Sequence, residues 1–70
     1  KNLSIMHSQV FNLLPNETLS TEEIYNYLGE VAFKDLSFGN LNSILKSIES
    51  KGYLESEEGV DGKVYWTKVT

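Results

Sequence analysis

Between Phe38 and Lys51 the polar residues Asn40, Asn42, Ser43, Lys46, Ser47 and Ser50, with Glu49, alternate with four aliphatic ones, Leu41, Ile44, Leu45 and Ile48. At about 100° per residue the aliphatic side chains fall on one stripe; Asn42, Ser43, Lys46 and Ser50 lie opposite it, and Asn40 and Ser47 lie on a flank. The polar set suits the edges of nucleic-acid bases. An asparagine amide can pair with adenine, a serine hydroxyl can bond a base or a phosphate, and a lysine can meet phosphate or guanine. The plainer reading is an ordinary solvated helix surface. Against it, asparagine and serine are mediocre helix formers, and a face chosen for solubility alone would carry more Glu, Lys, Gln and Ala.

A second group of candidates lies towards the C-terminus. Lys63, next to the Asp61-Gly62 pair, is placed to reach a phosphate. Around it Glu57, Glu58 and Asp61 would subtract from whatever that lysine adds, since each acid repels a phosphate. These acids, together with Trp66, form an alternative site of a different kind, a contact for a basic protein partner.

Charge divides the chain in the same way. The net charge is −4 and there is no arginine, the side chain best suited to reading guanine with two hydrogen bonds. Residues 31–51, with three lysines against two acids, are the only net-positive segment, and they contain the polar face described above. The acidic balance implies weak duplex binding by an isolated monomer. The lack of cysteine excludes disulfides and cysteine-based zinc sites. His7 has no second histidine to complete a metal site, so packing or surface exposure explains it. Glu22 and Glu23 open a helix, where negative charge complements the dipole, so capping accounts for them without carboxylate chemistry. No nucleophile and base are paired, and no glycine-rich phosphate cradle occurs. The expectation is a non-enzymatic protein with no cofactor and no metal. No apolar run approaches the ~20 residues of a membrane span, so an intracellular protein is expected.

Four elements must position these residues. Leu3, Met6, Val10, Leu13 and Leu14 share a stripe, which predicts a first helix over 3–14, stopped by Pro15 and Asn16. Ser20 precedes Glu23 at capping-box spacing, with Leu19 and Ile24 at the staple positions, so a second helix starts at Thr21 and ends at Gly29. Ser37 and Leu36 repeat the cap and staple for a third helix, which Gly52 stops, with Tyr53 folding back on its last turn. Tyr25, Tyr27, Phe33 and Phe38 supply an aromatic middle assigned mostly to the core, with a dimerisation patch as the alternative. Beyond Gly52, two alternating segments flank Asp61-Gly62, which predicts a hairpin closed by a two-residue type I′ turn. That register pairs Leu54 with Val69 and Glu55 with Lys68, and places Val64 and Trp66 away from the helices. The β-prone Val31-Ala32-Phe33 suggests a short third strand near 31–33.

The order helix, helix, helix, hairpin gives an α+β fold, and "LNSILKSIESKGYLESEEGVDGKVYWTKV", residues 41–69, resembles the recognition helix and wing of MarR-like and PadR-like transcription regulators. The resemblance rests on Gly52-Tyr53-Leu54 after an apolar helix, and on Asp61-Gly62-Lys63 leading into Tyr65 and Trp66. It implies a small winged helix-turn-helix in a single domain spanning 1–70, whole or cut from a longer chain. It also implies transcription regulation through double-stranded DNA, with the third helix in the major groove and a homodimer or a protein partner adding affinity. The chain departs from those families in its scarcity of basic residues and in the longer connection "EVAFKD". More loosely, it is similar to the acidic, protein-binding winged helix of the middle subunit of replication protein A.

Overall fold

The computed structural model describes residues 3–69. Helix α1 runs from Ile5 to Leu13, starting later than its apolar stripe because Ser4 caps it, accepting the His7 N–H at 3.2 Å. Of that stripe, Val10 and Leu14 are buried, whereas Met6 is 41% exposed. Helix α2, Thr21–Val31, opens on the expected box: the Ser20 hydroxyl accepts from Glu23 N–H at 3.2 Å, and the Glu23 carboxylate accepts from Ser20 N–H at 2.8 Å. It does not end at Gly29. Two further residues continue it, and Ala32 and Phe33 both donate their N–H groups to the Leu28 carbonyl.

That continuation removes the strand expected near 31–33. Val31 is helical, and residues 32–37 form the connection to helix α3, Phe38–Ser50. The third strand is instead β1, Leu19–Ser20, just ahead of α2. It pairs antiparallel with β3, Val64–Lys68, whose other edge is taken by β2, Leu54–Glu58. The sheet order is therefore β1-β3-β2, and both edges of β3 are filled without residues 31–33.

Helix α3 is capped by Ser37, whose hydroxyl accepts from Asn40 N–H at 3.1 Å. It ends in a Schellman motif. Gly52, at φ +91°, donates to the Glu49 carbonyl, and Tyr53 donates to Ile48. Tyr53 then packs on the core and against Phe11, with ring centroids 5.6 Å apart.

The hairpin register differs from the expected one by a single residue. Leu54 pairs with Lys68 and Ser56 with Trp66. The cause is the turn. Among the described residues no non-glycine residue has positive φ, so Asp61 cannot occupy a type I′ position, which requires it. The loop is the three-residue Val60-Asp61-Gly62, a type I turn followed by Gly62 at φ +81°. It is closed by Gly62 N–H to Gly59 O and by Gly59 N–H to Lys63 O. A slip of one residue exchanges the faces of a strand. Trp66, expected on the outer side, is 2% exposed and joins Leu54 in the core.

The core is Val10, Leu14, Ile24, Leu28, Leu41, Ile44, Leu45, Ile48, Leu54 and Trp66. The aromatic middle contributes less than expected: Tyr25 and Phe33 are half-buried, while Tyr27 and Phe38 are exposed. No helix among the described residues is long and apolar enough to cross a membrane.

Candidate nucleic-acid interface

Because Leu41, Ile44, Leu45 and Ile48 are all buried, the opposite side of α3 is fixed outward. Asn40, Ser43, Lys46 and Ser50 are exposed, and Asn42 and Ser47 are half-buried on either flank. All six thus lie on this helix, and four of them stand clear of the core. Their freedom differs. The Ser50 hydroxyl donates to the Ser47 carbonyl at 2.7 Å, so it is partly engaged within the helix. Lys46 is exposed and forms no ion pair among the described residues, which makes it a cation available to a phosphate.

The wing is built differently. Asp61 is committed inside the loop: one carboxylate oxygen accepts Lys63 N–H at 3.0 Å and the other accepts the Tyr65 hydroxyl at 2.8 Å. The backbone bond from Lys63, with the Tyr65 bond second, holds the Asp61 carboxyl below its ordinary range, and the same Asp61 contact pushes Tyr65 up. The Lys63 side chain is exposed, but its ammonium is not free. It meets the Glu22 carboxylate in the first turn of α2 at 3.3 Å, a hydrogen-bonded pairing that raises the lysine above its usual value. The hairpin's other lysine, Lys68, lies over the Phe11 ring, 4.7 Å from its centroid. Both hairpin lysines are therefore engaged within the protein.

Between the start of α2, the start of α3 and the wing loop lies a cleft of about 310 Å³, walled by Thr21, Glu22, Phe38, Asn42, Lys63 and Val64. It brings Asn42 and Lys63, two residues named from the sequence, to one place. Phe38, the first residue of α3, is 45% exposed and braced edge-on against Tyr25 at 5.6 Å. From sequence, Phe38 belongs to an aromatic middle expected to lie mostly in the core, and Glu22 has a capping role only. On the wheel Phe38 falls about 20° from Leu45, alongside the buried stripe; its exposure comes from its place as the first residue of α3, at the end of the helix. The Glu22–Lys63 pair joins residues remote in sequence and has no local signal.

The alternative acidic site changes more. Trp66 cannot be a surface contact, because the one-residue slip turns it inward. Its indole N–H donates to the Thr21 hydroxyl at 2.8 Å, and that hydroxyl in turn donates to the Val64 carbonyl at 3.4 Å. Glu57 and Glu58 remain exposed on β2, with Asp61 at the loop tip. No group of three or more His, Cys, Asp or Glu side chains that could hold a metal is present among the described residues.

No protein-family profile matches the chain, and no curated protein is similar to it in sequence. Among solved structures it is similar to the crystal structure of the Vibrio cholerae ferric uptake regulator (Fur), which is described as revealing a structural rearrangement of the DNA-binding domains. The TM-score is 0.80 at 15% sequence identity, over 99% of this chain and 54% of that one, so the present chain spans about half of its neighbour's length. At that identity the likeness concerns architecture: three helices and a three-stranded antiparallel sheet make this chain a winged helix.

Proposed function

We propose that this chain is the DNA-binding winged helix of a transcription regulator, with α3 entering the major groove. One observation carries the reading: α3 turns a polar face outward, with Asn40, Ser43, Lys46 and Ser50 exposed and the Lys46 ammonium unpaired among the described residues. The similarity to a regulator whose description names DNA-binding domains supports it. So does the resemblance of residues 41–69 to MarR-like and PadR-like regulators. Asn42 and Asn40 would read adenine edges from the two flanks, Ser43 and Ser47 would bond bases or phosphates, and Lys46 would neutralise a phosphate. Lys63 contributes only when it leaves Glu22. With so few cations at the surface, duplex binding by one copy is weak, and a second copy or a further domain adds the rest.

The experiment is duplex binding as a function of salt. The expected result is detectable affinity at low salt, a shallow fall as salt rises, and loss of binding in Lys46→Glu without a change in thermal stability. Absence of duplex binding at low salt would overturn the proposal. Protein docking through Glu57, Glu58 and Asp61 is the competing reading. It has lost Trp66 as an aromatic anchor, and the Asp61 carboxylate is occupied by Lys63 and Tyr65.

A further inference from the structure

We infer that Glu22 is a built-in competitor for the phosphate backbone, holding the wing lysine off DNA and so setting both the affinity and the salt dependence of the interface. The inference rests on the proposed DNA-binding reading and deepens it. Three observations lead to it. Lys63 is the only lysine of the wing loop, and its ammonium sits 3.3 Å from a Glu22 oxygen rather than extending from the tip. Glu22 belongs to the first turn of α2, where the helix itself favours a carboxylate, so its position is stable without Lys63. The pair closes one side of the cleft that Asn42 of α3 also lines, which puts it beside the face proposed to meet DNA.

No other acid pairs with Lys63 among the described residues. Asp61 takes the Lys63 backbone N–H and the Tyr65 hydroxyl, and Glu57 and Glu58 belong to the opposite strand of the hairpin. For Lys63 to meet a phosphate it must exchange one anion for another. Such an exchange releases a DNA counterion but leaves Glu22 uncompensated near the polyanion, so the lysine adds little net attraction. The pair is itself exposed on both sides, and exposed pairs of this kind are weak enough to open. Glu22 therefore acts as a brake and not as a lock.

Removing the brake makes a gain of function the expected outcome. Glu22→Gln keeps the shape of the side chain and leaves the capping box intact, because the box uses Glu23. Duplex affinity at low salt is measured for the unmodified protein, Glu22→Gln, Lys63→Ala and the double variant. The expected result is a gain of roughly 2- to 5-fold in Glu22→Gln, on the scale of one surface ion pair. The salt slope steepens by about 0.9, the share of one lysine newly free to displace a counterion. In the Lys63→Ala background the same substitution gives a clearly smaller gain. Equal gains in both backgrounds would overturn the inference, since Glu22 would then act only through net charge. So would no gain in a protein whose binding is still abolished by Lys46→Glu, an outcome that leaves the DNA-binding reading standing. Failure of all four proteins to bind duplex would overturn both.

Discussion

Thr21→Val removes one oxygen from a buried position while keeping the volume and branching of the side chain. That oxygen accepts the Trp66 indole N–H at 2.8 Å, and no other partner for the indole is present among the described residues. Trp66 is 2% exposed and Thr21 is 7% exposed, so water does not readily replace the lost acceptor. A buried donor left without a partner costs about 1–3 kcal/mol. For a domain of this size each kcal/mol lowers Tm by roughly 4–8 °C, so a drop of about 4–24 °C is expected. The assay is built in, because Trp66 is the only tryptophan: its emission reports unfolding without a label. Thr21→Ser, which keeps the hydroxyl, is expected to recover most of the loss. A Thr21→Val protein within about 0.5 kcal/mol of the original, the scatter of an ordinary surface change, would refute the claim that this bond ties the hairpin to α2.

Two further outcomes follow from the wing. Asp61 is held below its ordinary carboxylate range, so its bonds to Lys63 and Tyr65 stabilise the loop fully above the unfolded value of 3.8 and lose that contribution as pH falls through the lower folded value. Amide signals of Gly62, Lys63 and Tyr65 are expected to move together in that acid range and to stay still in Asp61→Asn. Gly59→Ala would bring a Cβ to 2.8 Å from the Tyr65 ring and 2.9 Å from an Asp61 carboxylate oxygen. Neither contact can persist, so the Tyr65–Asp61 bond is expected to open, seen as a fall of the Tyr65 hydroxyl pKa towards its ordinary value, with unchanged duplex binding.

How much of this was legible depended on how local each signal was. Ser20 with Glu23, Ser37 with Asn40, and Gly52 with Tyr53 are contacts between near neighbours, and all three helix boundaries they define were read correctly. Gly29 misled, because glycine in a helix is tolerated at a cost and the chain beyond it still had a carbonyl to bond, that of Leu28. The third strand was misplaced for a related reason. Val31-Ala32-Phe33 has the propensity, but Leu19-Ser20 has the position, next to the free edge of β3. The hairpin register turned on whether Asp61-Gly62 or Val60-Asp61-Gly62 formed the loop, and both fit the local sequence. Burial was the better guide: only the second choice puts the largest apolar side chain, Trp66, inside a small core.

The candidate site shows the same division. The outward face of α3 follows from helical periodicity alone, which is enough to put Asn40, Asn42, Ser43, Lys46, Ser47 and Ser50 off the buried stripe. The electrostatic state of Lys63 did not follow, because it depends on a glutamate brought close only by the packing of the hairpin against the start of α2. An acid that served as a helix-opening residue in the sequence thus turns out to face the wing lysine as well.

The measurement that bears most directly on the account is a backbone amide titration of the protein with a short duplex at low salt. The expected shifts gather on Asn42, Ser43, Lys46 and Ser47, with smaller movement at Glu22 and Lys63 as their pair opens, while Glu55, Glu57 and Glu58 stay still. Shifts centred on Glu55, Glu57 and Glu58, or no shifts at any duplex concentration, would contradict it.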